Sequence, residues 1–94
     1  MRWELSRQAS AEIDNIIRYT DSNFGTDQTE NYIGGLYNAF DLLSDNPKMG
    51  QAWAGERRCL IYRSHYVFYR IMDDHIFITD IMNTRMKIPP EWTA

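Results

Sequence analysis

The second half of the chain carries three closely spaced apolar runs, and their spacing leaves few ways to fold. Residues 57–62, 66–72 and 75–82 are rich in Ile, Tyr, Phe and Val, which are typical of β-strands. Only residues 63–65 and 73–74 separate these runs. Connections this short force neighbouring strands to run antiparallel. The sequence therefore predicts an antiparallel sheet made of these three runs.

In the first half of the chain, the apolar residues recur at helical spacing instead. Ser6 is a suitable N-cap, and Gly25 is a typical stop signal, because glycine accepts the backbone geometry that ends a helix. The sequence predicts a first helix between these two residues. Its apolar stripe consists of Ile13, Ile16, Ile17, Thr20 and Phe24.

A second helix is predicted to follow directly. Thr26 or Asp27 can cap it, and Glu30 has the spacing from Asp27 that a capping box requires. Asn46-Pro47 ends the helix because proline disfavours helical geometry in the residue before it. We expect the glycine pair 34–35 to let this helix pack closely against the first. The apolar stripe consists of Ile33, Leu36, Tyr37, Phe40 and Leu43.

These elements combine into one α+β arrangement. Trp3 and Leu5 alternate with polar residues, which predicts a short first strand. The predicted order is β-α-α-β-β-β, an antiparallel helical hairpin packed on a mostly antiparallel, curved sheet. Residues 48–56 are expected to form a loop, and the tail 88–94 to be irregular. A chain of 94 residues is expected to be one domain, residues 1–94, because it cannot fill two cores.

Composition and charge narrow the functional classes. The net charge is −3, which disfavours a protein whose main task is to hold nucleic acid. Residues 1–47 carry three basic and eight acidic side chains (net −5), whereas residues 48–94 carry seven and five (net +2). The lone Cys59 is expected to be a small buried strand residue, and no cofactor or metal is expected. No run is long and apolar enough to span a bilayer, so we expect a cytoplasmic protein.

Several short motifs, taken in order, resemble the ParE toxins of the RelE/ParE superfamily. Arg57-Arg58 leads one strand, Phe68-Tyr69-Arg70 lies in the next, and Arg85-Met86 follows the last. In the first half the resemblance rests on Leu5-Ser6, Ile17-Arg18-Tyr19-Thr20, Tyr32-Ile33, Leu36, Leu42-Leu43, Asn46-Pro47 and Gly50. The match extends from Trp3 to Trp92. Asn83 and Lys87 depart from the family pattern, which often has histidine and aspartate there.

The resemblance implies a toxin that poisons DNA gyrase by binding it. It also implies a cognate ParD-like antitoxin, whose flexible carboxy-terminal segment wraps the toxin and orders on binding. The two proteins would then form a hetero-oligomer, and DNA would be contacted only through gyrase or the antitoxin.

The alternative is a RelE-like ribonuclease that cuts messenger RNA on the ribosome. Such chemistry needs a proton acceptor, a proton donor and cations around the phosphate. His65 and His75 are predicted to be solvated turn residues, and the tail offers Trp92, which can stack but cannot exchange a proton. The sequence therefore favours a binding protein over an enzyme.

Candidate contact residues follow from charge and aromatic character. The arginines suit either an acidic antitoxin segment or gyrase and its DNA, although a solvated face or structural ion pairs also explain them. Tyr32 and Trp53 are further aromatic candidates for partner contacts. The predicted contact residues are Arg57, Arg58, Arg63, Arg70, Arg85, Met86, Trp92, Tyr19 and Tyr37.

Overall fold

The computed structural model describes residues 1–92 and contains one five-stranded mixed sheet with two helices. The strand order across the sheet is β1-β5-β4-β3-β2. Only β1 and β5 run parallel, and the other neighbours are antiparallel. The elements are β1 (Arg2–Leu5), α1 (Arg7–Phe24), α2 (Thr26–Asp45), β2 (Gln51–Ala52), β3 (Arg58–Tyr62), β4 (His65–Ile71), β5 (His75–Asn83) and a 3₁₀ turn (Pro90–Trp92).

Ser6 joins the first strand to both the sheet and the first helix. Its backbone N–H donates to the Ile78 carbonyl at 2.9 Å, and its hydroxyl donates to the Thr79 carbonyl at 2.6 Å. The same hydroxyl accepts the Ala9 N–H at 3.0 Å, so Ser6 is the predicted N-cap of α1. The start of α1 is thereby fixed to the last strand.

The helices cover one face of the sheet, and the core lies between the two layers. Alternation along β4 and β5 directs every second side chain towards the helices. The predicted stripes supply most of the helix side, but Phe24 of the first stripe is 65% exposed at the helix end. The buried cluster comprises Ala9, Ile13, Ile16, Leu36, Phe40, Leu43, Val67, Tyr69, Ile76, Ile78 and Ile81.

A single residue, Gly25, connects the two helices. Its φ of 88° lies in the region that favours glycine, so the chain reverses there without strain. The predicted capping box is wrong, because α2 begins at Thr26 with Gly25 as its N-cap and no side chain caps it. Asp27 therefore lies in the first turn, where its negative charge interacts favourably with the positive end of the helix dipole.

The prediction that the glycine pair 34–35 packs against α1 is also wrong. A side chain at Gly35 would overlap the hydroxyl of Tyr62 on β3, not α1, whereas Gly34 has no atom within 4 Å of such a position. Tyr62 is held there by a hydrogen bond from its hydroxyl to the Tyr32 carbonyl at 3.2 Å. Gly35 thus allows a strand side chain to reach the α2 backbone.

The predicted loop 48–56 contains the short strand β2, which the sequence reading missed. Gln51 pairs with Cys59 and Ala52 with Arg58. Two residues are too few to show the alternation by which strands are recognised. The predicted irregular tail holds the 3₁₀ turn at 90–92, and its residues 93–94 lie outside the described part of the chain.

The neighbouring glycines give a matched test of this packing. Gly34→Ala should raise the free energy of unfolding by up to about 1 kcal/mol, because alanine has the higher helix propensity. Gly35→Ala should lower it by about 1–3 kcal/mol, because the new methyl group displaces the Tyr62 ring. Urea denaturation followed by circular dichroism measures both, and equal effects from the two variants would contradict the assigned contact.

Candidate binding surface

The face of the sheet opposite the helices centres on Phe68. Val67 and Tyr69 belong to the helix-side core, so Phe68 between them points the other way. Trp53 and Trp92 pack edge-on against its ring, with centroids 5.8 and 5.1 Å away. Trp92 therefore acts here as a cover over a fully buried phenylalanine.

Arg57 belongs to the same cluster. Its guanidinium carbon lies 4.3 Å from the centre of the Trp92 ring, which is a cation–π contact. Cys59 is only 4% exposed and pairs with Phe68 across the strands, so the prediction of a small buried strand residue is confirmed. Burial raises the pKa of the Cys59 thiol to about 11, which keeps it protonated at neutral pH.

Two more of the predicted arginines are engaged in structural contacts. One terminal nitrogen of Arg58 donates to the Gly50 carbonyl at 2.6 Å and to the Lys48 carbonyl at 3.1 Å. Arg70 forms an ion pair with Glu56 on the loop before β3. Both side chains hold the 48–57 segment against the sheet.

Arg63, Arg85 and Met86 lie in two turns at the same end of the sheet. The Thr84 N–H donates to the Ser64 carbonyl at 2.8 Å, which joins the β3–β4 turn to the segment after β5. Met86 is 62% exposed. Among residues 1–92, no carboxylate forms an ion pair with either arginine at this end. This surface, which we name the cationic end, comprises Arg63, Arg85 and Met86.

Backbone geometry sets the positions of both arginines. Arg63 has a φ of 49°, and its guanidinium lies 5.5 Å from the Tyr62 ring centre and 5.8 Å from that of Tyr32. The Arg85 N–H donates to the Asn83 side-chain oxygen at 2.9 Å. In the sequence, Asn83 is notable only as a departure from the family pattern. In the structure, its side chain caps the turn that presents Arg85.

The two predicted helix tyrosines lie apart from the arginines and from each other. Tyr19 is 64% exposed near the end of α1, and its ring faces that of Phe24 at 6.5 Å. The Tyr37 ring packs against those of Trp3 and Phe40, with centroids 5.6 and 5.8 Å away. The nine predicted residues therefore form no single site.

The prediction that His65 is a solvated turn residue is wrong. His65 is 8% exposed, and its Nδ1 lies 2.6 Å from the Tyr32 hydroxyl. Burial lowers the pKa of His65, opposed by the nearby charge of Glu12, and burial also raises the pKa of Tyr32. The turn position concealed this burial, because α2 packs over the start of β4.

His75 lies at the opposite end of β5 from the residue that pairs with His65. Its Nδ1 is 2.7 Å from an Asp74 oxygen, and its Nε2 is 3.7 Å from a Glu4 oxygen. The hydrogen bond with His75 lowers the pKa of the Asp74 carboxyl. The two histidines are thus unable to act on one substrate atom.

Metal binding and membrane insertion are two further possibilities for residues 1–92. No group of three or more His, Cys, Asp or Glu side chains in this part of the chain could hold a metal ion. Neither helix in the same range is long and apolar enough to cross a membrane.

Comparison with solved structures supports the fold. A chain described as "Chromosomal ParDE TA system from P. aeruginosa" superimposes with a TM-score of 0.75 at 19% identity, covering 88% of this chain and 95% of that one. A family model described as "ParE toxin of type II toxin-antitoxin system, parDE" matches residues 3–88. Fold and sequence therefore define the class as toxins of type II toxin–antitoxin systems.

Curated relatives specify the family within that class. Toxin ParE1 of Caulobacter vibrioides is 37% identical over 73 residues, which cover 73% of this chain and 75% of the relative. Toxin ParE1 of Mycobacterium tuberculosis is 33% identical over 91 residues, which cover 93% of each chain. The chain belongs to the ParE toxin family.

The buried histidine predicts a pH-dependent stability. The pKa of His65 is lowered in the folded chain from an unfolded value near 6.5, so the unfolded chain binds the proton first. Stability should therefore be full above about pH 6.5 and should fall as the pH drops below it. Thermal unfolding between pH 8 and 5 measures this loss. His65→Gln should remove it and His75→Gln should retain it, and an identical pH dependence in all three proteins would contradict the assignment.

Proposed function

We propose that this ParE-family chain inhibits DNA gyrase by binding it, without chemistry of its own. The observation that carries the proposal is the cationic end, where Arg63 and Arg85 lie at the same end of the sheet as the exposed Met86 and form no ion pair with a carboxylate of the described chain. Arginine and methionine are both enriched in protein interfaces. A protein that holds cleaved DNA offers acidic and phosphate groups to such a surface.

The positions of the proton-transfer groups also support binding rather than catalysis. His65 is buried against Tyr32 on the helix side of the sheet, and His75 is at the far end of β5. Arg57 stacks on Trp92, whose indole is neither an acid nor a base near neutral pH. Cutting RNA would need an acid, a base and a cation around one phosphate.

We further propose that a ParD-like antitoxin neutralises this chain in a hetero-oligomer in the cytoplasm. Family membership supports this, as does the likeness to a chain from a solved ParDE system. Tyr19, Tyr37 and Trp92 are the candidate aromatic contacts, and Arg57, Arg58 and Arg70 are the candidate cations for an acidic antitoxin segment. Aromatic and arginine side chains commonly carry the binding energy of interfaces.

Two assays run in parallel test the target. Purified toxin should inhibit gyrase supercoiling and accumulate gyrase–DNA cleavage complexes, while leaving messenger RNA intact on translating ribosomes. Message cleavage with unaffected gyrase would favour the RelE-like ribonuclease alternative and would overturn the proposal.

A single substitution tests the cationic end. Arg85→Ala should raise the toxin concentration for half-maximal gyrase inhibition by about tenfold, because it removes a charged contact of the interface. Arg7→Ala on the first turn of α1 is the matched control and should inhibit like the unaltered toxin. Full potency of the Arg85→Ala protein would show that this end does not contact gyrase.

The antitoxin proposal predicts a stabilised complex. The product of the reading frame adjacent to the gene should bind with a submicromolar dissociation constant. A free concentration 100 times that constant stabilises the folded toxin by about 2.7 kcal/mol, which should raise its melting temperature by about 10 °C or more. Calorimetry and thermal unfolding measure both quantities, and neither heat nor stabilisation would be seen if the proposal were wrong.

A further inference from the structure

The loop end of the helical hairpin projects past one end of the sheet. Tyr32, in the second turn of α2, lies over the β3–β4 turn, with its hydroxyl oxygen 2.6 Å from Nδ1 of His65. Thr26, the first residue of α2, is about 9 Å further along the helix axis. Every residue from 21 to 28 is exposed. The hairpin therefore ends clear of the sheet, at the end where β3 turns into β4.

Two aromatic side chains lie uncovered on this projecting part. Tyr19 and Phe24 are 64% and 65% exposed, and their ring centroids are 6.5 Å apart. Because an aromatic side chain can bury about 150–250 Å², roughly 100–160 Å² of each remains in water. Covering the pair in an interface would be favourable, and aromatic residues are typical anchors of protein interfaces.

The same part of the hairpin is acidic and has no charge partner of its own. Residues 19–28 include Asp21 and Asp27 and no basic residue. The Thr26 hydroxyl donates to Asp21 at 3.2 Å, but neither aspartate forms an ion pair within residues 1–92. This surface, which we name the hairpin tip, comprises Tyr19, Asp21, Phe24 and Asp27.

The cationic end has the complementary charge and lies at the same end of the molecule. Arg63 and Arg85 are exposed, and neither forms an ion pair with a carboxylate of the described chain. The Arg63 guanidinium carbon lies 5.8 Å from the centre of the Tyr32 ring, which places this turn beside the first turns of α2. A surface whose acidic and basic parts lie side by side is complementary to a second copy of itself related by a two-fold axis.

We propose that the free chain forms a symmetric dimer, in which the hairpin tip of each copy packs against the cationic end of the other. The aspartates of the tip then meet the arginines, and its two aromatic rings are covered by Met86 and the arginine stems. The exposed apolar area is small for an interface, so the dissociation constant should be of micromolar order. The dimer covers the surface that we assign to gyrase contact, but it does not depend on that assignment.

Charge reversal tests the dimer. Sedimentation velocity of the unaltered chain between about 1 µM and about 1 mM should show a concentration-dependent shift from monomer to dimer. Asp27→Arg and Arg63→Glu should each raise the dissociation constant by about tenfold or more, because each reversal places like charges opposite one another twice in the dimer. Asp45→Arg is the matched control, since it makes the same charge reversal at the other end of α2, and it should change the constant by less than about twofold.

Mixing the two weakened variants provides a test that loss of folding cannot imitate. In a symmetric dimer of one Asp27→Arg copy and one Arg63→Glu copy, one contact joins the new arginine to the new glutamate, and the other contact joins the original pair. An equimolar mixture should therefore dimerise about as tightly as the unaltered chain, although each variant alone dimerises weakly. A mixture no tighter than the separate variants would overturn the assigned pairing.

Nuclear magnetic resonance of the unaltered chain provides a readout that needs no substitution. On dilution, the amide chemical shifts of residues 19–28, 63–64 and 84–87 should change together, while that of Asp45 stays constant. A chain that is monomeric at about 1 mM, or equal weakening by Asp45→Arg and Asp27→Arg, would overturn the proposal. Assemblies that grow beyond a dimer would also overturn it, because they require head-to-tail contacts. None of these outcomes bears on gyrase inhibition, which the supercoiling assay tests separately.

Discussion

The parallel pairing of β1 with β5 is the contact on which the rest of the architecture depends. It places the first residues of the chain beside the last strand, in the register Arg2 to His75 through Leu5 to Ile78. A parallel pair cannot be closed by a tight turn, so the chain must leave β1 by a crossover connection. Here α1 and α2 carry the chain over the sheet to β2 at the other edge. Ser6 fixes the point at which the chain leaves β1, because it forms hydrogen bonds to the backbone of residues 78 and 79 and also caps α1. The helical layer thus follows from the position of one short strand.

This layering leaves the two faces of the sheet with different properties. The helix side is filled by aliphatic residues, Phe40 and the buried Tyr69, whose hydroxyl still reaches the loop after α2. Neither α1 nor α2 lies on the other face, where two tryptophans cover Phe68 instead. Arginines that look alike in the sequence therefore differ in environment. Arg57 stacks on Trp92, and Arg58 and Arg70 bond to the 48–57 segment. Arg63 and Arg85 form no ion pair within residues 1–92.

Much of the fold could be predicted from the sequence, because local signals and tertiary packing agree. The short connections between the apolar runs specified three antiparallel neighbours, and Ser6 and Gly25 delimited the first helix. The features that the sequence did not predict correctly share a physical cause. The partner of Gly35 is a strand residue distant in sequence, and His65 is buried by a helix that no local pattern around the turn reveals. Strand β2 is recognisable only through its pairing with β3.

The candidate surfaces were less predictable than the fold. Residue type identified the arginines and exposed aromatics as candidate contact residues. The structural contacts that distinguish one candidate from another depend on which loop lies over which strand. Met49 and Ile71 illustrate this, since neither is notable in the sequence and the hydrogen bonds of Tyr69 hold the loop after α2 near the end of β4. Whether each predicted residue touches a partner stays a prediction.

Negative and positive charges are concentrated on different parts of the molecule. The two helices carry seven acidic and two basic side chains, net −5, while the Arg63 and Arg85 end of the sheet is positive. Such a separation makes the protein an electric dipole that turns in the field of a charged neighbour before contact. Near a polyanion the acidic helix surface would be repelled and the cationic end drawn in. Collisions would then be oriented from a distance, on a scale set by the Debye length of about 8 Å in physiological salt.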